Sequence, residues 1–239
     1  MGVFLRIGLR IFERKNDMYT HLHEEIDALK LKVLKMVALT EDAVSKAIKA
    51  YVNKDLYLAE EVQDGDVHVN RLEVEIDELG LRLLALEQPV AGDLRFILGC
   101  MRISVDLERI ADEAVNIAER SIMLSSRPPL PFHGDVLEMG NKALAMLQHA
   151  AQAFASGNVE AALQVCSLDN EVDVLNHKNM RKVIEYMIHD TPAIERSVHT
   201  IILIRRIERI GDLATNIAES VVFIAKGVNI KHKAYFDER

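Results

Sequence analysis

The chain has 239 residues, 49% of them apolar and 28% charged, with a formal net charge of −8. That length suits one large or two ordinary globular domains with a sizeable core, and the acidic surplus excludes the basic footprint of a nucleic-acid binder, leaving cations or basic protein surfaces as partners. No apolar run approaches the roughly 18 residues of a bilayer span, so the chain is expected in the cytoplasm, meeting membranes only through partners.

Residues 1–17 form a leader in which Phe4, Leu5, Ile7, Leu9, Ile11 and Phe12 sit beside Arg6, Arg10, Arg14 and Lys15. The readings are a disordered leader, an over-long start with Met18 as first residue, or a basic amphipathic segment on a membrane surface. From Met18 to about Val52, Ile26, Leu29, Val33, Met36, Val37, Val44, Ala47, Ile48 and Tyr51 recur at the three-and-four spacing of a buried helical stripe. Asn53-Lys54-Asp55 ends that helix, and a second is expected over 56–86, stopping before Pro89. A third is expected from Asp93, read as its N-cap, to Leu124, followed by the proline-rich linker Ser-Ser-Arg-Pro-Pro-Leu-Pro-Phe-His-Gly. Helices are then expected over 135–155, 159–189 and 193–226, broken at Ser156-Gly157-Asn158 and at Thr191-Pro192. Cys100 and Cys166 lack any paired spacing, which fits reduced thiols of a cytosolic protein.

The two halves repeat one another. At an offset of 103, Met36 matches Met139, Ala47 matches Ala150, Val62 matches Val165, Asp66 matches Asp169 and Pro89 matches Pro192. Beyond the proline the offset falls to 100, a loss of about one helical turn. The expected fold is therefore all-α: two tandem antiparallel three-helix bundles, six long helices in all, over 18–126 and 132–228 with a tail at 229–239.

The most conspicuous repeat is Leu-Glu-Arg-Ile-Ala-Asp-Glu-Ala-Val-Asn-Ile-Ala-Glu at 107–119 and Ile-Glu-Arg-Ile-Gly-Asp-Leu-Ala-Thr-Asn-Ile-Ala-Glu at 207–219. At about 100° per residue, Glu108, Asp112, Asn116 and Glu119 share one narrow stripe, opposite the apolar Leu107, Ile110, Ala114 and Ile117. Glu208, Asp212, Asn216 and Glu219 repeat it. Like charges four apart destabilise a helix by a few tenths of a kcal/mol, so a positive group is expected nearby. Asp66 with Asn70, and Asp169 with Asp173, supply a further four-spaced pair in each half. Facing one another across a bundle seam, such pairs would gather carboxylate and amide oxygens suited to Mg²⁺, Ca²⁺, Mn²⁺ or iron. His177 continues the Asp169, Asp173 face, either as a nitrogen ligand or as an ordinary surface histidine. The plainer explanation of any acidic pair is a solvated face or an ion pair with the next helix, here through Arg109 or Arg209. Retention in both copies favours the cation.

These residues resemble the PhoU family from about Leu22 to Gly227: the duplicated six-helix layout, Pro-x-x-x-Asp-Leu-Arg at Pro89–Arg95, Glu-Arg-Ile-Ala-Asp at Glu108–Asp112 and Glu-Arg-Ile-Gly-Asp at Glu208–Asp212. The resemblance implies metal roles for Glu108, Asp112, Asp169, Asp173, Glu208 and Asp212. With Asn70 in place of an acid, the first-half site is expected to be one charge poorer. The resemblance also implies a non-enzymatic negative regulator of the phosphate-starvation response, a commonly dimeric adaptor that links a phosphate ABC transporter and its ATPase to a sensor histidine kinase. Two other readings stay open. One is a metal-independent helical scaffold whose acidic stripes dock on basic helices. The other is a di-metal carboxylate oxidoreductase, which would need Glu-x-x-His; here Glu185/His189 and Glu195/His199 are four apart.

Overall fold

In the computed structural model, backbone is described for residues 2–230, and side chains from residue 21 onward except 133 and 134. Six helices carry that stretch: α1 (Gly2–Asn53), α2 (Leu56–Leu86), α3 (Ala91–Ser125), α4 (His133–Ser156), α5 (Val159–His189) and α6 (Ile194–Lys226). A single 3₁₀ turn, Thr191–Ala193, precedes α6. The expected α2 and α5 coincide with the observed ones, and α1 begins well before Met18. The amphipathic reading of residues 1–17 concerns side chains outside the described residues, and so does most of the tail.

Local chemistry accounts for the helix ends. The Asp55 carboxylate accepts from the Tyr57 and Leu58 amides at 3.1 and 3.2 Å, and the Asn158 side chain accepts from the Ala161 amide at 3.1 Å. Each satisfies N–H groups that a helix start leaves unpaired. Lys54 (φ 56°) and Gly157 (φ 67°) turn the chain left-handed after α1 and α4, at matching points of the repeat. The α3 start differs from expectation: its N-cap is Val90, without a side-chain bond, and Asp93 lies in the first turn. There its charge meets the positive end of the helix dipole rather than a specific amide.

α2, α3, α6 and α5 lie side by side in that order as one layer; α1 packs behind α2 and α3, α4 behind α5 and α6, and α1 touches α4. The two bundles are thus joined through α3 and α6, which run antiparallel. Arg102 stacks over the Phe223 ring at 4.4 Å, Arg206 pairs with Glu113 at 3.1 Å, and Arg120 meets His199 at 3.5 Å. Gly99 permits this approach, since a Cβ there would stand 2.2 Å from Ile224 Cγ1. One continuous core results, running from Leu29, Met36, Ile76 and Ile110 in the first repeat to Met139, Leu147, Ile210 and Ile217 in the second. Each fully buried Leu or Ile contributes about 1.5–3 kcal/mol relative to exposure. Cys100 is buried, Cys166 half-buried, and both are free thiols. No helix of the described residues is long and apolar enough to cross a membrane.

Candidate functional site

The repeated acidic stripes face the α2–α3 and α5–α6 seams. In the second repeat, α5 brings Asp169 and Asp173 against Glu208 and Asp212 of α6. Asp169 is pushed up to about 6, first by burial, then by Asp173, Asp212 and Glu208 in turn. Burial likewise raises Glu208 and Asp212, with Asp173 a further like charge on each, while Arg205 and Arg209 pull partly the other way. In the first repeat, Glu108 is raised by burial and then by Asp112, Glu73 and Asp66, while Asp112 is raised by burial and Asp66. An acid whose proton affinity rises this way lies among other acids in partly dried surroundings.

Most basic side chains pair outside the seams, with Arg209 against Asp212 the exception. Lys32–Glu75 and Lys46–Glu61 tie α1 to α2, Lys142–Glu171 and Lys182–Asp135 tie α4 to α5, and Arg206–Glu113 ties α3 to α6. Arg109 and Arg209, the two arginines of the repeated motif, reach only acids on their own helices, Asp106 at 4.0 Å and Asp212 at 3.7 Å. Both are more than half exposed, so neither serves as the interhelical counter-charge that the simpler explanation required.

One residue of each half was missed in the sequence, and it bears on the expectation of a poorer first site. Glu73 raises Glu108, so it stands beside the Asp66, Glu108 and Asp112 group; its equivalent at offset 103 is Asn176. The α2 face reads Asp66, Asn70, Glu73 and the α5 face Asp169, Asp173, Asn176: two carboxylates and one amide each, with the amide exchanged between the second and third places. The two seams therefore carry the same number of acids. The signal was present in the offset, but Glu73 is three residues past Asn70 and escapes a search for spacing of four. His177 is exposed and lies beside this face, whereas Asn176 is buried.

The outer members of the stripes do less. Asn116 donates to the Asp112 carbonyl of its own helix at 2.8 Å. Glu219 lies at the far end of its seam beside Cys166, whose thiol it helps to raise after burial. Asn216 and Glu119 are half-buried on the same stripes.

Two observations bear on whether a hard cation fits. The oxygens Asp66 Oδ1 and Asn176 Oδ1, one per seam and both buried, have no hydrogen-bond partner. A lone buried acceptor costs about 1–3 kcal/mol, and a cation or its water shell would satisfy both. The donor set is all oxygen, as Mg²⁺, Ca²⁺, Mn²⁺ or iron prefers. Against this, no group of three or more His, Cys, Asp or Glu among the described residues is already closed to metal-ligand geometry. The donors fit in kind, but as placed they do not gather about one point, and their side chains would have to turn inward to close on an ion.

The PhoU domain family matches residues 33–121 and 136–221, once per repeat. The chain is 36% identical over 222 residues to the phosphate-specific transport system accessory protein PhoU homolog of Pseudomonas aeruginosa, covering 90% of this chain and 92% of that one. It is 32% identical to the phosphate-specific transport system accessory protein PhoU of Escherichia coli, over 87% and 86% of the two chains. The crystal structure of PhoU from Pseudomonas aeruginosa superposes with a TM-score of 0.84 at 37% identity, over 86% of this chain and 99% of that one. The phosphate transport system regulatory protein PhoU from Streptococcus pneumoniae follows with a TM-score of 0.82 at 27% identity, over 88% and 99%. The duplicated helices, the twin acidic seams and these matches along both repeats show that the chain belongs to the PhoU domain family.

Proposed function

We propose that this chain is a regulatory accessory protein of phosphate uptake, a negative regulator of the phosphate-starvation response that couples a phosphate ABC transporter to a sensor histidine kinase. The observation that carries this reading is likeness over nearly the whole chain to proteins named as accessory or regulatory parts of phosphate transport. Those names describe no enzyme, and the chain is a non-enzymatic member of the family. A rigid acidic helical body is suited to an adaptor's work, which is binding.

Cations in the two seams are part of the proposal. Asp66, Glu73, Glu108 and Asp112 would hold one in the first repeat, and Asp169, Asp173, Glu208 and Asp212 one in the second. Bound there, an ion would neutralise acids that otherwise repel, stiffening α2 against α3 and α5 against α6, and so the surface offered to partners. A second copy of the chain is a further expected partner.

The metal-independent scaffold stays in contention because no metal-ligand group is already closed among the described residues. Elemental analysis of the purified protein, with Glu108→Gln and Glu208→Gln variants, separates the two. Stoichiometric metal lost in the variants supports the cation reading, and negligible metal with weakened partner binding supports the scaffold. For the regulatory role, the test is a gene deletion assayed for alkaline phosphatase in high phosphate. Constitutive expression is expected, and unchanged repression would remove the proposal.

A further inference from the structure

The duplication puts structurally equivalent positions at two ends of the molecule, and they differ consistently in polarity. At one end Phe96 and Phe154 stack with ring centroids 6.0 Å apart, and Cys100 of α3 and Val221 of α6 are buried. At the other, the equivalents are Arg196 for Phe96, Tyr51 for Phe154, Thr200 for Cys100 and Ser121 for Val221. Each apolar group at one end is matched by a hydroxyl or a guanidinium at the other, and the space between these polar groups is a cavity of about 260 Å³ lined also by the linker at Pro128–Leu130.

Two cations, Lys54 and Arg196, line that cavity, and among the described residues no carboxylate does. Arg196 donates to the Pro128 carbonyl at 3.3 Å, the Tyr186 hydroxyl at 3.4 Å and Asp190 at 3.0 Å, yet its Nε is buried without a partner. The nearby Glu195 is occupied by Arg127 at 2.8 Å. Lys54 donates to the Arg127 carbonyl. It holds a left-handed backbone (φ 56°) where the other repeat uses Gly157 (φ 67°). A side chain kept at a position that favours glycine is backbone strain of the sort that gathers at ligand sites. Tyr51, hydrogen-bonded with Thr200, adds a hydroxyl, while Leu124, Leu130 and the prolines make an apolar wall.

We propose that this cavity binds a small organic anion, its single carboxylate or phosphate group set between Lys54 and Arg196 and its short apolar body against Leu124, Leu130 and the linker prolines. A concave, half-apolar space with a few convergent polar groups is the general form of such sites, and its modest volume limits the ligand to metabolite size. The site lies apart from the acidic seams and stands whether or not they hold cations.

The test is thermal unfolding with calorimetric titration of the full chain in EDTA, which keeps seam-bound metal from recruiting anions. The probes are benzoate, phenyl phosphate, inorganic phosphate and benzyl alcohol. At a hundredfold excess over Kd, benzoate or phenyl phosphate should raise Tm by about 5 °C, and neither inorganic phosphate nor benzyl alcohol should match it. Lys54→Gly installs the residue of the other repeat and should leave the unliganded Tm equal or higher while abolishing the shift. Arg196→Phe should also abolish it, and if that variant fails to fold, Lys54→Gly decides. The proposal is overturned if neither organic anion binds, if benzyl alcohol or inorganic phosphate binds as well, or if Lys54→Gly responds like the wild type.

Discussion

Replacing Asp169 by asparagine should stabilise the metal-free protein and weaken its response to divalent cations. Asp169 titrates near 6 in the folded chain against 3.8 for an ordinary aspartate, a difference nominally equivalent to about 3 kcal/mol. The carboxylate is half-buried, so solvent screening reduces that to about 1 kcal/mol. Because the folded value is raised, the charged group costs stability above pH 6, and the cost is relieved as pH falls through 6 towards 4. In EDTA at pH 7.5, Asp169→Asn should therefore raise Tm by about 2–4 °C. Wild type should itself gain stability between pH 7.5 and 5, and the variant should gain less. Adding Ca²⁺ or Mn²⁺ should reverse the ranking, since the wild type then neutralises its acids and the variant has lost a ligand. Thermal scans over that pH range, with and without metal, are sufficient. A variant less stable than wild type in EDTA, or one gaining as much from metal, would refute the argument that mutual repulsion is relieved by a bound ion.

Glu73→Gln should raise the cation concentration needed to stabilise the first seam by at least about tenfold, read by Mn²⁺ titration in a background lacking the second site; an unchanged midpoint would return Glu73 to the solvated surface. Gly99→Ala drives a methyl against Ile224, 2.2 Å away before relaxation, and should cost about 1–3 kcal/mol in urea unfolding. Asp55→Ala removes the acceptor for two amides at the start of α2 and should cost about 1 kcal/mol, measured the same way.

The helices were legible because their signals are local, and the repeat because it is written in residue identities at a constant offset. The ends of α2 and α5 follow from Asp55, Asn158 and the breaks before Pro89 and Pro192, each acting over a turn or less. Asp93 is not the cap, because the helix starts earlier, at Ala91 after Pro89 and Val90. In the site, Glu108, Asp112, Glu208 and Asp212 were legible by spacing, while Glu73 and Asn176 were not, because one acid and one amide changed places between copies.

By itself the sequence determined the all-α class, the duplicated unit and the oxygen-bearing face of each helix, since a period of about 3.6 residues assigns every side chain a side. Tertiary structure decided what those sides meet. The register between helices whose residues lie forty or a hundred apart in the chain leaves Asp169 among acids while Arg209 reaches Asp212 of its own helix. It also fuses α3 to α6 in one core, and opens at one end a cavity that two phenylalanines fill at the other. Such outcomes depend on the sum of many weak packing contacts across helices, which no single helix's periodicity records.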